Sequence, residues 1–305
     1  MRYLWTCAIA LLLFSCNTKN PVEKDGKTSI EEDPMDQLED RQLTTEFKKY
    51  WYNGTAEIST YELSQARYGE MREGTAVLIF VTEPFDKTDQ IKADQSKDSN
   101  RTVLKLNATR NFNTGIYPYS IMSSTFLPLD KKDNAIKIAT SIQEWCGHTY
   151  MQFNQDGDAY DVSLYSYFQS EGKQEFEVDN VMTENQIAAQ LRLDPRAMPI
   201  GEIKIIPSTE YLRLKHVETK PYDAIAKLSE IPDGYLYSVK FTELERTIAF
   251  KTEKTFPYRI LSWMDRYKDG AAPMVSTGTL KKSINTAYWK KNANKDATLR
   301  DSLGL

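Results

Sequence analysis

The sequence predicts a mainly β protein of the α+β kind, an antiparallel sheet with one or two packed helices, on three observations. Short runs of β-branched and aromatic residues recur between Gly, Asn, Asp and Pro punctuation, the rhythm of a meander rather than of βαβ units. Helical periodicity is confined to two places, near the start and near residue 185. The 305 residues include 18 Tyr, 12 Phe and 5 Trp, which supply a core and exclude wholesale disorder.

The chain opens MRYLWTCAIALLLFSC, with Arg2 as its only charge. An uncharged stretch of about thirteen residues is shorter than the roughly twenty needed to span a bilayer, so it reads as a secretory signal. It ends Leu13-Phe14-Ser15-Cys16, which looks like the lipobox of bacterial lipoproteins. That resemblance implies cleavage after residue 15 and acylation of Cys16 by two or three chains of the palmitate kind. Two chains anchor stably where one is marginal. Loss of Arg2 takes the formal charge from −4 to −5. Residues 16–34 are polar and charged, a lipidated flexible tether. Residues 35–305 then form one β-rich domain.

Residues 35–52 carry acids early, Lys48 and Lys49 late, and Leu43, Phe47, Tyr50 and Trp51 as apolar positions, which predicts a helix stopped by Asn53-Gly54. Residues 55–68 and 75–82 (TAVLIFVT) read as strands, the second apolar enough for burial on both faces. Residues 83–101 form a charged loop, and 103–106 resume the sheet. Pro118 and Pro128 place edge strands or loops around 117–128. Gln155-Asp156-Gly157-Asp158 is the strongest hairpin signal. Thr183-Glu184-Asn185-Gln186 is a capping box opening a short helix that Asp194-Pro195 ends. Five strands follow, at 211–217, 222–228, 235–241, 246–251 and 258–263.

A mildly acidic surface excludes nucleic-acid binding through a basic face. Two His and three Cys leave little material for metal or thiol chemistry, and no metal or cofactor is expected. Trp145-Cys146-Gly147-His148 opens like a disulfide-isomerase site, but Thr149 stands where the resolving cysteine belongs. In a continuous strand Glu144, Cys146 and His148 would share a face, as an acid–thiol–imidazole row might. That face runs back through Ile142, Ile138 and Ile136, so a packed Cys and a hydrogen-bonded His are the plainer expectation. His216, alternating with Leu212 and Leu214, is likewise expected to be packed and hydrogen-bonded. The tyrosines have a functional reading: Tyr117, Tyr119, Tyr150, Tyr165, Tyr167 and Tyr258, with Trp263, would line a ligand groove. The alternative is that tyrosine fits half-buried strand positions.

Residues 49–80, 114–120 (TGIYPYS), 143–150, Tyr288-Trp289 and Leu299-Arg300-Asp301 resemble a group of Bacteroidota lipoproteins that carry the label "septum formation inhibitor Maf". The Maf nucleotide pyrophosphatases resemble an α/β fold with a Ser-x-Ser-x-Arg-Arg loop, which this chain lacks. The strands after Pro207 are similar in rhythm to the half-barrels of periplasmic lipoprotein carriers. That implies a large curved antiparallel sheet or half-barrel. The resulting expectation is a non-enzymatic lipoprotein, anchored in the outer membrane and facing the periplasm. It would bind a lipid, glycan or envelope protein. The alternatives are a cell-envelope hydrolase or transferase built on Glu144, Cys146 and His148, and a purely structural assembly module.

Overall fold

The computed structural model describes residues 38–305 apart from Ser96 and Asp98. The signal, Cys16 and residues 17–34 therefore lie outside the described residues. Within them, fifteen strands join into one antiparallel sheet, as the sequence predicts. In spatial order it reads β10-β11-β12-β13-β14-β15-β1-β2-β4-β5-β6-β7-β8-β9, with the two-residue β3 (Ile91–Lys92) on β2. Two meanders, β1 (Ala56–Arg67) to β9 (Lys173–Asp179) and β10 (Gly201–Ile205) to β15 (Ala272–Thr286), are thus joined where β15 pairs with β1. β9 and β10 are the free edges.

The longest strands sit in the middle. β2 (Glu70–Asp86) pairs with β4 (Arg101–Thr114), and β4 pairs with β5 (Tyr117–Pro128). β5 corrects the expectation of edge strands or loops. Pro118 and Pro128 lie outside Ser120–Phe126, the stretch that pairs with β6 (Lys137–Glu144), so that pairing requires no amide from either. The apolar run 75–82 is not buried on both faces: Ala76, Leu78 and Phe80 are buried, while Val77 and Ile79 are half-exposed.

The predicted first helix is shorter than its pattern, α1 (Thr45–Trp51), because Thr44 caps it by accepting from the Phe47 amide at 3.0 Å. The capping box at Thr183 holds, opening a 3-10 turn at Glu184–Gln186 that runs into α2 (Ile187–Leu191). The segment at 211–217 is helical rather than extended: α3 (Thr209–Lys215) starts at Ser208, whose Oγ accepts from the Tyr211 amide. His216 ends it in the left-handed conformation, φ 52°. It is exposed, not packed.

α2 explains the curvature. Its Ile187, Ala188, Ala189 and Leu191 are buried in one core with Leu78, Phe80, Leu104 and Leu106 from one limb of the sheet and Tyr237, Val239, Phe241 and Ile248 from the other. A five-residue helix that shares one core with both limbs is a plug around which the sheet is wrapped. Burial of Ile187 and Leu191 contributes about 2 kcal/mol each.

Two reciprocal buried ion pairs fasten the plug. Arg192, at the end of α2, meets Glu57 of β1 at 2.5 and 2.6 Å and donates to Pro257 O at 2.8 Å. Arg246 of β13 (Arg246–Glu253) meets Glu184 at 2.6 and 2.7 Å and Asp265 of β14 (Ile260–Asp269) at 2.8 Å. Burial alone would raise the Glu57 carboxyl, but Arg192 outweighs it and holds the group below the ordinary range.

Candidate functional site

Plugging the concave face decides where a ligand can go. Between α2 and the sheet only about 50 Å³ remains, lined by Leu78, Ala188, Phe250 and Trp263 among others. The open concavities lie at the two rims.

The larger one, with about 470 Å³ of free space, opens at the rim that carries α1. Residues 41–47 form one wall, and the turn after α2 with Leu193, Ala197 and Met198 forms another. Phe256 and Tyr258, from the loop between β13 and β14, close it. Its floor is apolar: Phe47 and Met198 are buried, and Leu43, Leu193 and Phe256 pack on the same core. Phe256 stands 6.2 Å from Phe47, 5.5 Å from Tyr50 and 6.0 Å from Tyr258, ring to ring.

Charges ring the mouth unevenly. Arg196 is occupied by Asp194 at 2.8 and 3.1 Å and touches the Tyr258 hydroxyl at 3.4 Å. Lys132 is occupied by Glu39 at 2.5 Å. Arg41 differs. Its backbone is pinned by its amide to Asp130 O at 2.8 Å, yet its buried Nε has no hydrogen-bond partner among the described residues. Burial presses the Arg41 guanidinium below its usual pKa, against the pull of Asp130 and Asp133. Gln190, across the cleft, leaves its buried Oε1 unpartnered as well. An unmatched cationic donor and an unmatched amide acceptor therefore stand over an apolar floor.

The opposite rim is made of hairpin tips. There a smaller cavity of about 40 Å³ is lined by Arg67, Tyr119, Glu144, His148, Tyr167, Arg213 and His216 among others. Arg67 donates to Leu214 O at 2.8 Å and to the hydroxyls of Tyr68 and Tyr119 at 3.0 and 3.1 Å. Glu171 takes Ser166 Oγ at 2.6 Å, His216 Nδ1 at 2.6 Å and Arg213. Burial alone would lift the Glu171 carboxyl, but those partners hold it below its ordinary range.

The acid–thiol–imidazole row does not form. β6 ends at Glu144, Trp145 and Cys146 are a two-residue turn, and β7 (Gly147–Asp156) begins at Gly147. A hairpin inside what reads as one strand breaks the alternation, leaving Glu144 and His148 on different strands. Cys146 is exposed, and Glu144 accepts its backbone amide at 2.8 Å. Hydrogen bonding to Glu144 and its negative charge push the thiol pKa up, opposite to what a nucleophile needs.

Nor do the seven proposed lining aromatics share one groove, although Tyr119 and Tyr167 line the small rim cavity together. Tyr117 stands 6.4 Å from Trp145, and Tyr119 is buried and stacked on Phe112 at 5.0 Å. Tyr150 and Tyr165 face each other across β7 and β8 (Ala159–Ser166), both exposed. Tyr167 is exposed at the tip beyond β8. Trp263 is buried against Tyr61 at 4.6 Å, over Gly278. Tyr258 alone of the seven lines the large cleft. Arg41 and Gln190 carry no sequence signal, since their role rests on lacking partners in the fold.

Comparison with protein-family models and with characterised protein sequences finds no match. Among solved structures, the chain is similar to a β-barrel-like protein, a domain of unknown function (DUF1849) from Brucella abortus, at 9% identity and a TM-score of 0.45. The match covers 76% of this chain and 98% of that one.

Proposed function

We propose that this protein is a non-enzymatic, lipid-anchored protein of the outer membrane, facing the periplasm, that holds an anionic amphiphile in the cleft beside α1. The observation that carries the reading is Arg41 Nε and Gln190 Oε1, both without partners, above the floor of Leu43, Phe47, Leu193, Met198 and Phe256. An acid head group supplies the acceptor that Arg41 lacks, and a hydroxyl or amide on the same head supplies the donor for Gln190. The apolar floor takes the chain of the ligand, the usual division of labour in a small-molecule site. The lipobox-like end of the signal, Leu13 to Cys16, supports the anchor, and the resemblance to Bacteroidota lipoproteins supports the compartment.

The test is calorimetric titration of the protein with laurate, dodecyl phosphate and dodecanol. Both acids should bind and dodecanol should bind about tenfold more weakly, the difference a charge-assisted hydrogen bond makes. Equal binding of all three, or of none, refutes the site. Anchoring is tested separately, by labelling with palmitate in cells: the label should vanish in Cys16→Ser.

A further inference from the structure

We propose that the rim of hairpin tips opposite α1 binds the C-terminal carboxylate of an extended peptide. The carboxylate would sit between Arg67 and Arg213, and the apolar terminal side chain against the exposed aromatic tips. This site is independent of the cleft beside α1.

Five observations meet there. Arg213 of α3 is more than nine-tenths buried in the cavity wall, yet its Nε has no hydrogen-bond partner, and neither has that of Arg67. Guanidinium groups so placed ask for an acceptor, because a buried donor left unmade costs about 1–3 kcal/mol. The site is charge-balanced: Arg67 and Arg213 are matched by Glu144 and Glu171, so one added negative charge meets less repulsion than two. The free space of about 40 Å³ admits the two oxygens of a carboxylate. Both histidines of the chain, His148 and His216, line the same cavity and add donors.

The fifth observation is the collar. Hairpin tips ordinarily carry Gly, Asn or Asp. Here three tips of that rim carry Tyr68 at 56% exposure, Trp145 at 68% and Tyr167 at 63%. Large rings held out in water at the end of a rigid sheet are contact area. Glu144 is half-buried beside the cavity and accepts the amide that precedes a peptide carboxylate.

The test is titration with N-acetyl-Ala-Ala-Phe as its free acid and as its C-terminal amide, followed in ¹H–¹⁵N spectra. The acid should bind with shifts at Gly147, His148 and the 167–172 turn, and the amide about tenfold more weakly. Arg213→Gln should weaken the acid by about tenfold, and Trp145→Ala by about threefold. Arg213 also holds Glu171, so His148→Leu serves as the second variant. His148 is exposed and its side chain makes no hydrogen bond among the described residues. Its replacement should weaken binding severalfold at an unchanged melting temperature. Acid and amide binding alike, no binding by either, or glucuronate or inorganic phosphate binding as tightly as the peptide acid, would each overturn the assignment.

Discussion

Replacing Arg192 by Met tests whether the plug is fastened as described. Arg192 and Glu57 are 1% and 0% exposed, so removing the cation leaves a carboxylate sealed away from water with only the Tyr50 and Ser59 hydroxyls as donors. Breaking a buried pair from one side costs about 3–5 kcal/mol, a large share of the roughly 5–15 kcal/mol that holds a domain of any kind together. Glu57→Leu should cost about as much, since it strands the guanidinium between Trp51 and Phe80 at 5.0 and 4.8 Å. The double variant should lie nearer the parent than either single one, because no unpaired charge remains. Urea unfolding followed by tryptophan fluorescence measures all four proteins. A double variant as unstable as the two single losses added together would refute the reasoning.

The same cycle has a pH signature whose sign can be worked out. In the parent the folded Glu57 pKa lies below its unfolded value. Its contribution is therefore complete above about pH 4.5 and is lost as the pH falls through the folded pKa. In Arg192→Met burial, the largest influence on Glu57, is opposed only by the Tyr50 and Ser59 hydroxyls, so the folded pKa rises above the unfolded one. That variant should gain stability, relative to the parent, as the pH falls from about 6 towards 4. Parallel stability curves for the two proteins in that interval would show that Glu57 is not governed by Arg192.

Four further outcomes follow from the geometry. Gly278→Ala should cost about 1–3 kcal/mol by thermal unfolding, because its methyl would stand 2.2 Å from Trp263 Cζ2. Cys146→Ser should leave stability within about 0.5 kcal/mol, being exposed in a turn. The Cys146 thiol should react with a disulfide reagent more slowly at pH 8 than it does in Glu144→Gln, since Glu144 raises its pKa. Arg41→Gln should weaken laurate binding about tenfold without moving the melting temperature, as measured by titration and calorimetry.

The sheet was legible because its evidence is local. The hairpin at Gly157-Asp158, the capping box at Thr183 and the strands β11 (Tyr222–Ile231) to β14 all carry their own turn or periodicity. What misled was local pattern overruled by context. YLRLKHV alternates like a strand, yet Ser208 caps it as α3 and no neighbouring strand claims its amides. The run 135–153 looks continuous because Trp145-Cys146 is a turn without turn residues. β15 was not expected: its Pro273, Gly278 and run of Ser, Thr and Lys hide fifteen residues of extended chain that become a strand by pairing with β1 and β14.

The site was less legible, for a physical reason. Aromatic content measures how much surface a sheet can cover, and in this fold most of that surface faces a plug. Tyr61, Tyr119, Tyr237 and Trp263 are consumed by the core, as Phe80 and Phe241 are. Once α2 occupies the concave face and Arg192 and Arg246 lock it there, a ligand of any size is displaced to the rims. At the rims the informative residues are polar ones whose hydrogen bonds are incomplete. Arg41, Gln190, Arg67 and Arg213 are ordinary letters in a sequence, and only a structure shows that their neighbours leave atoms unanswered. Binding in such a fold is read from what the plug leaves unpaired, so loosening the plug should disturb both rims together. Arg192→Met, which frees the end of α2 beside Leu193 and Asp194, should therefore weaken laurate binding even though Arg192 does not line the cleft.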